Sequence, residues 1–376
     1  MRPVAITGIG LVSSLGEGVE AHAEAMQAPR PNIDTERFAP YPVHPLAEPD
    51  WTSQISRRDK RQMEPWQQIG TYAAGLALDD AGLKGDEHTD TMDMIVAAGG
   101  GERDIEVDGA ILEDAPRDDG RDVFVAERLS NDLRPTLFLA QLSNLLAGNI
   151  SIVHKVTGSS RTYMGEEGAG IAAIANAVAR VAAEQSEAML VGGSFSAERE
   201  DMQLVFELGG YLATDPKPIA ERDGLVLGSV GVFLVLEPLD AARARGASVY
   251  AVLRDVRADH ATAAGREAAF DALLRPADIV FSGATGVGEP TRLEVDALAA
   301  KLPATPVRRF GALFGHGVEA QFPLGVALAA ITVARGAAPA PFEDGEADAA
   351  PPKRALVTQV GHWRAEGTAI VEAADA

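Results

Sequence analysis

The chain has 376 residues, 46% of them hydrophobic and 5% aromatic, with 38 glycines and no cysteine. Without cysteine it can form no disulfide, no thiolate metal site and no thiol nucleophile. A formal net charge of −22 disfavours nucleic-acid binding, which requires clustered Lys and Arg side chains to meet the phosphates.

Apolar strands alternate with helices along the chain, which is typical of layered α/β proteins. In the first half we predict a strand at Val4–Thr7, a helix at Trp66–Ala81, a strand at Met94–Ala98, a helix at Arg134–Leu146, a helix after Glu167, a strand at Ala188–Val191 and a strand pair at Val230–Leu236 and Tyr250–Leu253. In the second half we predict a helix at Glu267–Leu274, a strand at Ile279–Ser282, a helix at Thr291–Lys301, a strand at Val307–Phe310, a helix at Gln321–Val333 and strands at Ala355–Thr358 and Ala369–Glu372. Residues 26–50 and 337–353 are predicted loops, and we expect the acidic run Asp344–Asp348 to be solvated.

Several other motifs are weak. Gly8-x-Gly10 after a strand resembles a dinucleotide-binding loop, but Ser13 stands where the third glycine should be. Gly99–Gly101 favours a turn at the end of a strand over a phosphate site. The seven histidines lack ligand-like spacing and no G-x-S-x-G is present, so we expect no metal, no cofactor and no hydrolase elbow. We also expect no membrane span and, since the first residues lack a signal-peptide pattern, a cytoplasmic protein.

Residues 145–193 form the most informative segment: a Gly-rich turn, a long Ala-rich helix and a short strand that ends in Gly192-Gly193. This segment resembles the nucleophile elbow of the β-ketoacyl-ACP synthases. Residues 4–13, 57–83, 217–237 and 240–251 are similar to further motifs of that family. The resemblance implies a thiolase-like α/β fold of five α-β-α-β-α layers, with two pseudo-duplicated halves at 1–240 and 241–376 that form one compact unit. The resemblance also implies that the second half is short for the family, because residues 254–275 lack a connection that usually walls the active site.

The resemblance also implies that the reactive residues of the family have been lost. Its acyl-accepting Cys corresponds to Glu167, the His of its H-G-T-G-T motif to Gly283, and its Lys to Gly311, whereas the second His is retained as His316. Glu294 falls on a conserved acid of the family. Ser229 replaces the Glu of its E-G-A-G element, and Gly361–Thr368 keeps only the general shape of its G-F-G-G-T-N stretch.

Three interpretations of Glu167 stay open at this point. It fills the former cavity and forms salt bridges, locally or across a dimer interface; it acts as an acid or base; or the alignment is shifted by one residue and Glu166 is the inward group. For His316, a packed histidine at a helix start is favoured over a catalyst.

The sequence therefore favours a non-catalytic, chain-length-factor-like subunit that pairs with a Cys-containing ketosynthase. We expect the acyl carrier protein to dock on that partner, because a strongly acidic chain repels an acidic carrier. The alternatives are a malonyl-ACP decarboxylase and a homodimeric pseudoenzyme that binds an acyl group or a carrier protein.

Overall fold

The computed structural model describes residues 2–101, 103–135, 137, 141–259 and 263–375. The α-helices are α1 (Gly18–Gln27), α2 (Arg57–Lys60), α3 (Pro65–Ala81), α4 (Asp86–Thr89), α5 (Ile105–Asp114), α6 (Arg121–Asp132), α7 (Leu145–His154), α8 (Glu166–Ala182), α9 (Glu200–Leu208), α10 (Leu239–Ala244), α11 (Arg266–Leu273), α12 (Gly288–Lys301), α13 (Gly311–Phe314) and α14 (Gln321–Arg335). Short 3₁₀ helices cover Trp51–Ser53, Ala263–Gly265 and Val318–Ala320. The strands are β1 (Val4–Ser13), β2 (Gly16–Glu17), β3 (Val43–His44), β4 (Asp93–Ala97), β5 (Ser160–Tyr163), β6 (Met189–Phe195), β7 (Leu227–Gly228), β8 (Val230–Pro238), β9 (Ala251–Asp259), β10 (Ile279–Ser282), β11 (Val307–Arg309), β12 (Arg354–Val360) and β13 (Glu366–Glu372).

The main sheet consists of two half-sheets with the same topology. The first half-sheet has the order β5-β4-β6-β8-β1 and the second has the order β11-β10-β12-β13-β9. In each half-sheet the first three strands are parallel and the last two are antiparallel to their neighbours. This repetition is the predicted duplication. The half-sheets join where Val4, Ala5 and Ile6 of β1 pair with residues 251–253 of β9.

Five layers follow from how the helices pack on the half-sheets. The apolar helices α8 and α14 contact each other and lie between the two half-sheets, where the largest group of buried apolar side chains is found. The outer face of the first half-sheet is covered by α3 and α7, and that of the second by α11 and α12. The predicted thiolase-like α-β-α-β-α arrangement is therefore confirmed.

The two ends of the main sheet differ in how their edge strands are protected. The Glu346 side chain, which is 0% exposed, accepts a hydrogen bond from the backbone N–H of Arg309 on β11 at 2.7 Å. Arg308 donates to the carbonyls of Pro339 and Ala347, so the 337–350 loop is fixed against this edge. At the other end, β5 pairs only with β4 among the described residues. Our expectation that the whole run Asp344–Asp348 is solvated was wrong, because Glu346 is needed at the β11 edge.

Several element predictions required correction. The helix predicted at Arg134–Leu146 falls in part on residues 136 and 138–140, which lie outside the described residues; within the described part Leu137 is helical and α7 begins at Leu145. The strands predicted as a pair at Val230–Leu236 and Tyr250–Leu253 lie on opposite sides of β1. Gly8 and Gly10 lie within β1, where a Cβ at Gly10 would be 1.8 Å from the carbonyl oxygen of Ala73 on α3. These glycines permit close packing of a helix on a strand and form no dinucleotide-binding loop.

One helical stretch, Val318–Arg335, is apolar and long enough by composition to cross a membrane. In the fold 89% of it is buried, because it includes the central helix α14. Its hydrophobicity is thus explained by its place between the two half-sheets.

Candidate functional site

Glu167 lies in the first turn of α8, where the positive end of the helix dipole favours a carboxylate. Its side chain is 0% exposed. The preceding residue, Glu166, points outward and forms a 3.1 Å ion pair with Arg364. Of the open interpretations, a shift of one residue with Glu166 inward is therefore contradicted, and Glu167 is the group that occupies the interior.

Two imidazoles converge on the Glu167 carboxylate. The Nε2–H of His316 donates to Oε1 at 2.7 Å. The Nδ1–H of His362 donates to Oε1 at 2.9 Å and to Oε2 at 3.0 Å, and the backbone N–H of His362 donates to Oε1 at 3.3 Å. His316 is 1% and His362 7% exposed, so the three side chains form a closed cluster. We call them the 167 cluster.

The pKa shifts assign charges within the 167 cluster. Burial acts to raise the pKa of Glu167, but the charge of His362 and the hydrogen bonds from both imidazoles hold it well below its usual range. Burial acts to lower the pKa of His362, but the Glu167 carboxylate outweighs burial and raises it. For His316 burial prevails over its hydrogen bond to Glu167, and its pKa is lowered. These directions favour a carboxylate at Glu167, an imidazolium at His362 and a neutral imidazole at His316.

The neutral state of His316 agrees with its surroundings. Its Nε2 carries the proton given to Glu167, and its buried Nδ1 has no hydrogen-bond partner within the part of the chain that is described. A second proton on Nδ1 would create an unpaired buried donor. His316 lies between α13 and the 3₁₀ helix Val318–Ala320, and its backbone bonds to Val226 and Gly228 rather than capping a helix.

The short loop between β12 and β13 carries His362 and is anchored by two buried side chains, Arg266 and Glu294. The buried Arg266 donates to the carbonyl of Gly361 at 2.8 Å and forms an ion pair with Glu366. The buried Glu294 accepts hydrogen bonds from Ser282, Thr358 and the backbone N–H of Val360. These bonds fix the end of β12 and thereby the position of His362. The acid that the resemblance placed at residue 294 therefore has a supporting role in this chain.

The other degenerate positions are filled by neighbouring groups. A Cβ at Gly283 would be 2.1 Å from Oε1 of Gln359, whose Nε2 donates to the Gly283 carbonyl at 2.8 Å. A larger side chain at 283 consequently has no room unless Gln359 moves. At Gly311 the nearest neighbour of a Cβ would be Ile219 at 3.2 Å. Ser229 is buried and accepts a hydrogen bond from the backbone N–H of Ala197 at 2.9 Å.

Near the 167 cluster, a small cavity is lined by Glu319 together with Trp66, Gly99 and Phe195. Its volume is about 10 Å³, which is room for about one water molecule. Burial raises the pKa of Glu319 to about 7, and the nearby charges of Glu167 and Glu166 act in the same direction. A cavity of this size and polarity cannot hold an acyl chain.

Comparison with known proteins places these observations in a family. The family description "Beta-ketoacyl synthase, N-terminal domain" matches residues 1–242. The chain belongs to the β-ketoacyl synthase family. The tetracenomycin polyketide synthase ketoacyl synthase beta subunit of Streptomyces glaucescens is 30% identical over 371 residues, covering 88% of this chain and 85% of that protein. The 3-oxoacyl-[acyl-carrier-protein] synthase 2 of Vibrio harveyi is 28% identical over 67% of this chain, and the match spans only 61% of that relative's length.

The fold is likewise that of solved ketosynthases. A structure described as "The ishigamide ketosynthase/chain length factor" superposes with a TM-score of 0.79 at 20% identity, covering 99% of both chains. At this identity the likeness concerns the fold alone.

The structure brings together two of the four predicted site positions, Glu167 and His316, and adds a residue that sequence reasoning missed. His362 was counted only as part of a degraded β-ketoacyl synthase motif, yet it supplies a second imidazole to Glu167. A signal was present in the sequence: a histidine follows Gly361 at the end of a buried strand, in the segment that resembles the acyl-gate motif of the family.

Proposed function

We propose that this chain is a non-catalytic, chain-length-factor-type subunit that pairs with a Cys-containing β-ketoacyl synthase in polyketide, polyene or specialised fatty-acid synthesis. The observation that carries the proposal is Glu167: a buried carboxylate bound to two imidazoles stands where the family has its nucleophile. The proposal is also supported by the names of two similar proteins, the ketoacyl synthase beta subunit of Streptomyces glaucescens and the ishigamide ketosynthase/chain length factor.

The chemistry of the 167 cluster supports the proposal that this chain is non-catalytic. Condensation needs a thiolate that accepts the acyl group and free donors that stabilise the developing oxyanion. Here no thiol exists, and the imidazole protons that point at residue 167 are bound to its carboxylate. The cluster closes the site with a stable ion pair, and the cavity beside it holds about one water.

The edge strand β5, which pairs only with β4 in the part of the chain that is described, supports the proposal that this chain pairs with another. An edge strand with unpaired backbone groups can be completed by a strand from another chain, and proteins usually cover or charge such edges. The β11 edge is covered by the 337–350 loop, whereas Ser160 and Arg161 of β5 are exposed. We infer that a partner subunit continues the main sheet at β5, that this partner docks the carrier protein, and that the complex is cytoplasmic.

One observation favours the malonyl-ACP decarboxylase alternative: His362 supplies a second imidazole that the sequence did not reveal. It is weakened by the charge of Glu167, which would repel the enolate that forms as CO₂ leaves. A homodimeric pseudoenzyme that binds an acyl group beside Glu167 would need a pocket there, and the cavity near Glu319 is too small for an acyl chain.

The test is co-expression with a Cys-containing synthase, followed by size-exclusion chromatography and an elongation assay. We expect a stable heterodimer in which elongation and product length depend on both chains, while this chain alone neither elongates an acyl chain nor decarboxylates malonyl-ACP. Decarboxylation that His316→Ala abolishes would establish the enzyme alternative. A soluble homodimer that binds none of the synthases tested would favour the homodimeric pseudoenzyme.

A further inference from the structure

The loop between α9 and β7 carries a buried arginine that has no carboxylate partner. Arg222 is 9% exposed, and its buried Nε–H has no hydrogen-bond acceptor within the described residues. Across the same part of the chain, no Asp or Glu forms an ion pair with its guanidinium. Burial lowers the pKa of Arg222 to about 10, which reflects a charge that its surroundings do not fully neutralise. A buried charge without a counter-charge is unfavourable.

The acids closest to Arg222 are engaged elsewhere. Glu343 is the carboxylate whose charge acts on Arg222, but it pairs with Arg309 at 3.3 Å and accepts a backbone N–H at 2.8 Å. Asp223, the next residue in the chain, accepts the backbone N–H of Gly288 at 2.9 Å. The chain has 55 Asp and Glu against 33 Lys and Arg, so the missing partner does not reflect a shortage of acids.

A second buried nitrogen without a partner lies near Arg222. The His44 side chain is 1% exposed, and its Nδ1 has no hydrogen-bond partner among the residues that the structure describes. Burial, together with the charge of Arg222, lowers the pKa of His44 to about 3, so the ring is neutral. A neutral imidazole can carry its proton on Nδ1 and donate it. A guanidinium and a neutral N–H donor, both buried, together suit a small anion.

Arg222 is held in place by the loop at residues 283–287. A Cβ at Gly286 would lie 2.7 Å from Nε and 3.2 Å from Cγ of Arg222, so the glycine leaves room for this side chain. The Gly286 carbonyl accepts a hydrogen bond from the backbone N–H of Gly224 at 2.7 Å, which joins the two loops. The charge of Arg222 also acts on His316, so this junction lies close to the 167 cluster.

We propose that Arg222 and His44 form a binding site for a small monovalent anion, either chloride or a short carboxylate. The anion accepts hydrogen bonds from the guanidinium and from Nδ1–H of His44, and it supplies the counter-charge that the chain does not. The bound anion thereby stabilises the junction of the 217–224 and 283–287 loops. The inference is independent of the proposed function, because binding of the anion needs no synthase partner.

The experiment follows urea denaturation of the full chain at neutral pH while sodium gluconate is replaced stepwise by sodium chloride or sodium formate. The ionic strength stays constant, so general screening does not change. A ligand that binds only the folded chain stabilises it by mass action. We therefore expect the unfolding equilibrium constant to fall about tenfold when the small anion reaches about ten times its dissociation constant.

Two variants separate this site from other anion effects. Arg222→Met removes the charge, and we expect the response to chloride and formate to disappear. Without small anions this variant should be at least as stable as the wild type, because no ion pair is lost. The matched control is Arg180→Met, since Arg180 is partly buried and pairs with Asp93 at 3.0 Å. It should lose stability and keep the full anion response. Circular dichroism verifies that each variant is folded.

Crystals of the chain soaked in sodium bromide give a direct readout, and we expect an anomalous peak between Arg222 and His44. An anion response that Arg222→Met removes and Arg180→Met retains supports the site, and the more effective salt identifies the anion as chloride or a carboxylate. No response of the wild-type chain to either salt would overturn the inference. So would an equal response in folded Arg222→Met, or bromide peaks that all lie away from Arg222.

Discussion

Replacing Glu167 by Ala should destabilise the fold far more than the same change at its neighbour Glu166. Removal of one member of a buried ion pair leaves the other charge unpaired, which typically costs about 3–5 kcal/mol. Glu167 and both imidazoles are buried, and the carboxylate accepts bonds from His316, from the His362 ring and from the His362 backbone. That cost is a large part of a typical free energy of unfolding of about 5–15 kcal/mol.

Glu166→Ala is the matched control. Its ion pair with Arg364 is partly solvated, with side chains 30% and 54% exposed, so its loss should cost about 0–1 kcal/mol. Both residues lie in the first turn of α8, so the contribution of the helix dipole is similar and cancels in the comparison. Urea denaturation at neutral pH measures the difference. Equal costs for the two variants, or a cost below about 1 kcal/mol for Glu167→Ala, would refute the reasoning about the 167 cluster.

Four further predictions concern charge and the sheet edge. In Glu167→Gln the pKa of His362, followed by NMR, should fall from above its ordinary 6.5 to below it, since burial then acts without the carboxylate; an unchanged pKa would show that Glu167 does not hold the proton. Burial raises the pKa of Glu319 from 4.5 to about 7. Between these two pH values the folded chain keeps a proton on Glu319 that the unfolded chain has lost, so the free energy of unfolding decreases as the pH rises towards 7. Glu319→Gln should therefore raise the free energy of unfolding by about 3 kcal/mol at about pH 8 and change it little near about pH 4. Burial lowers the pKa values of His22, His44 and His154 from 6.5 to about 4, 3 and 4, so the unfolded chain takes up protons that the folded chain does not; stability should fall by up to roughly 1.4 kcal/mol per pH unit for each histidine as the pH drops below 6.5, and a flat profile would contradict this. On binding of a synthase partner, hydrogen exchange should slow in β5 and stay unchanged in β11, and equal protection of both edges would exclude β5 as the specific pairing edge.

Much of the fold could be predicted from the sequence, because its strands are short apolar runs and its central helices carry continuous small and apolar residues. The order of strands in each half-sheet was available only through the resemblance to a family. The helix predicted at Arg134–Leu146 extends over residues 136 and 138–140, which lie outside the described residues, and the described helix α7 begins only at Leu145. Glu346 was misassigned because a charge in an acidic loop looks solvated until the loop is seen to cover a strand edge.

At the candidate site, sequence reasoning located Glu167 and His316, because motifs on both sides fix their positions. It could not locate His362, which is 195 residues from Glu167 and reaches it only because α8 and the β12–β13 loop meet in the centre of the fold. It also could not show that Gln359 occupies the space next to Gly283. Contacts of this kind depend on tertiary packing, and no local sequence pattern predicts them.

The most direct test of the central claim is an elongation assay on the reconstituted heterodimer, with one substitution at a time in each subunit. We expect Ala at the partner's nucleophilic Cys to abolish elongation, whereas Glu167→Gln in this chain, with the heterodimer intact, leaves the rate within about twofold. Elongation by this chain alone, or its loss in the intact Glu167→Gln heterodimer, would contradict a non-catalytic role.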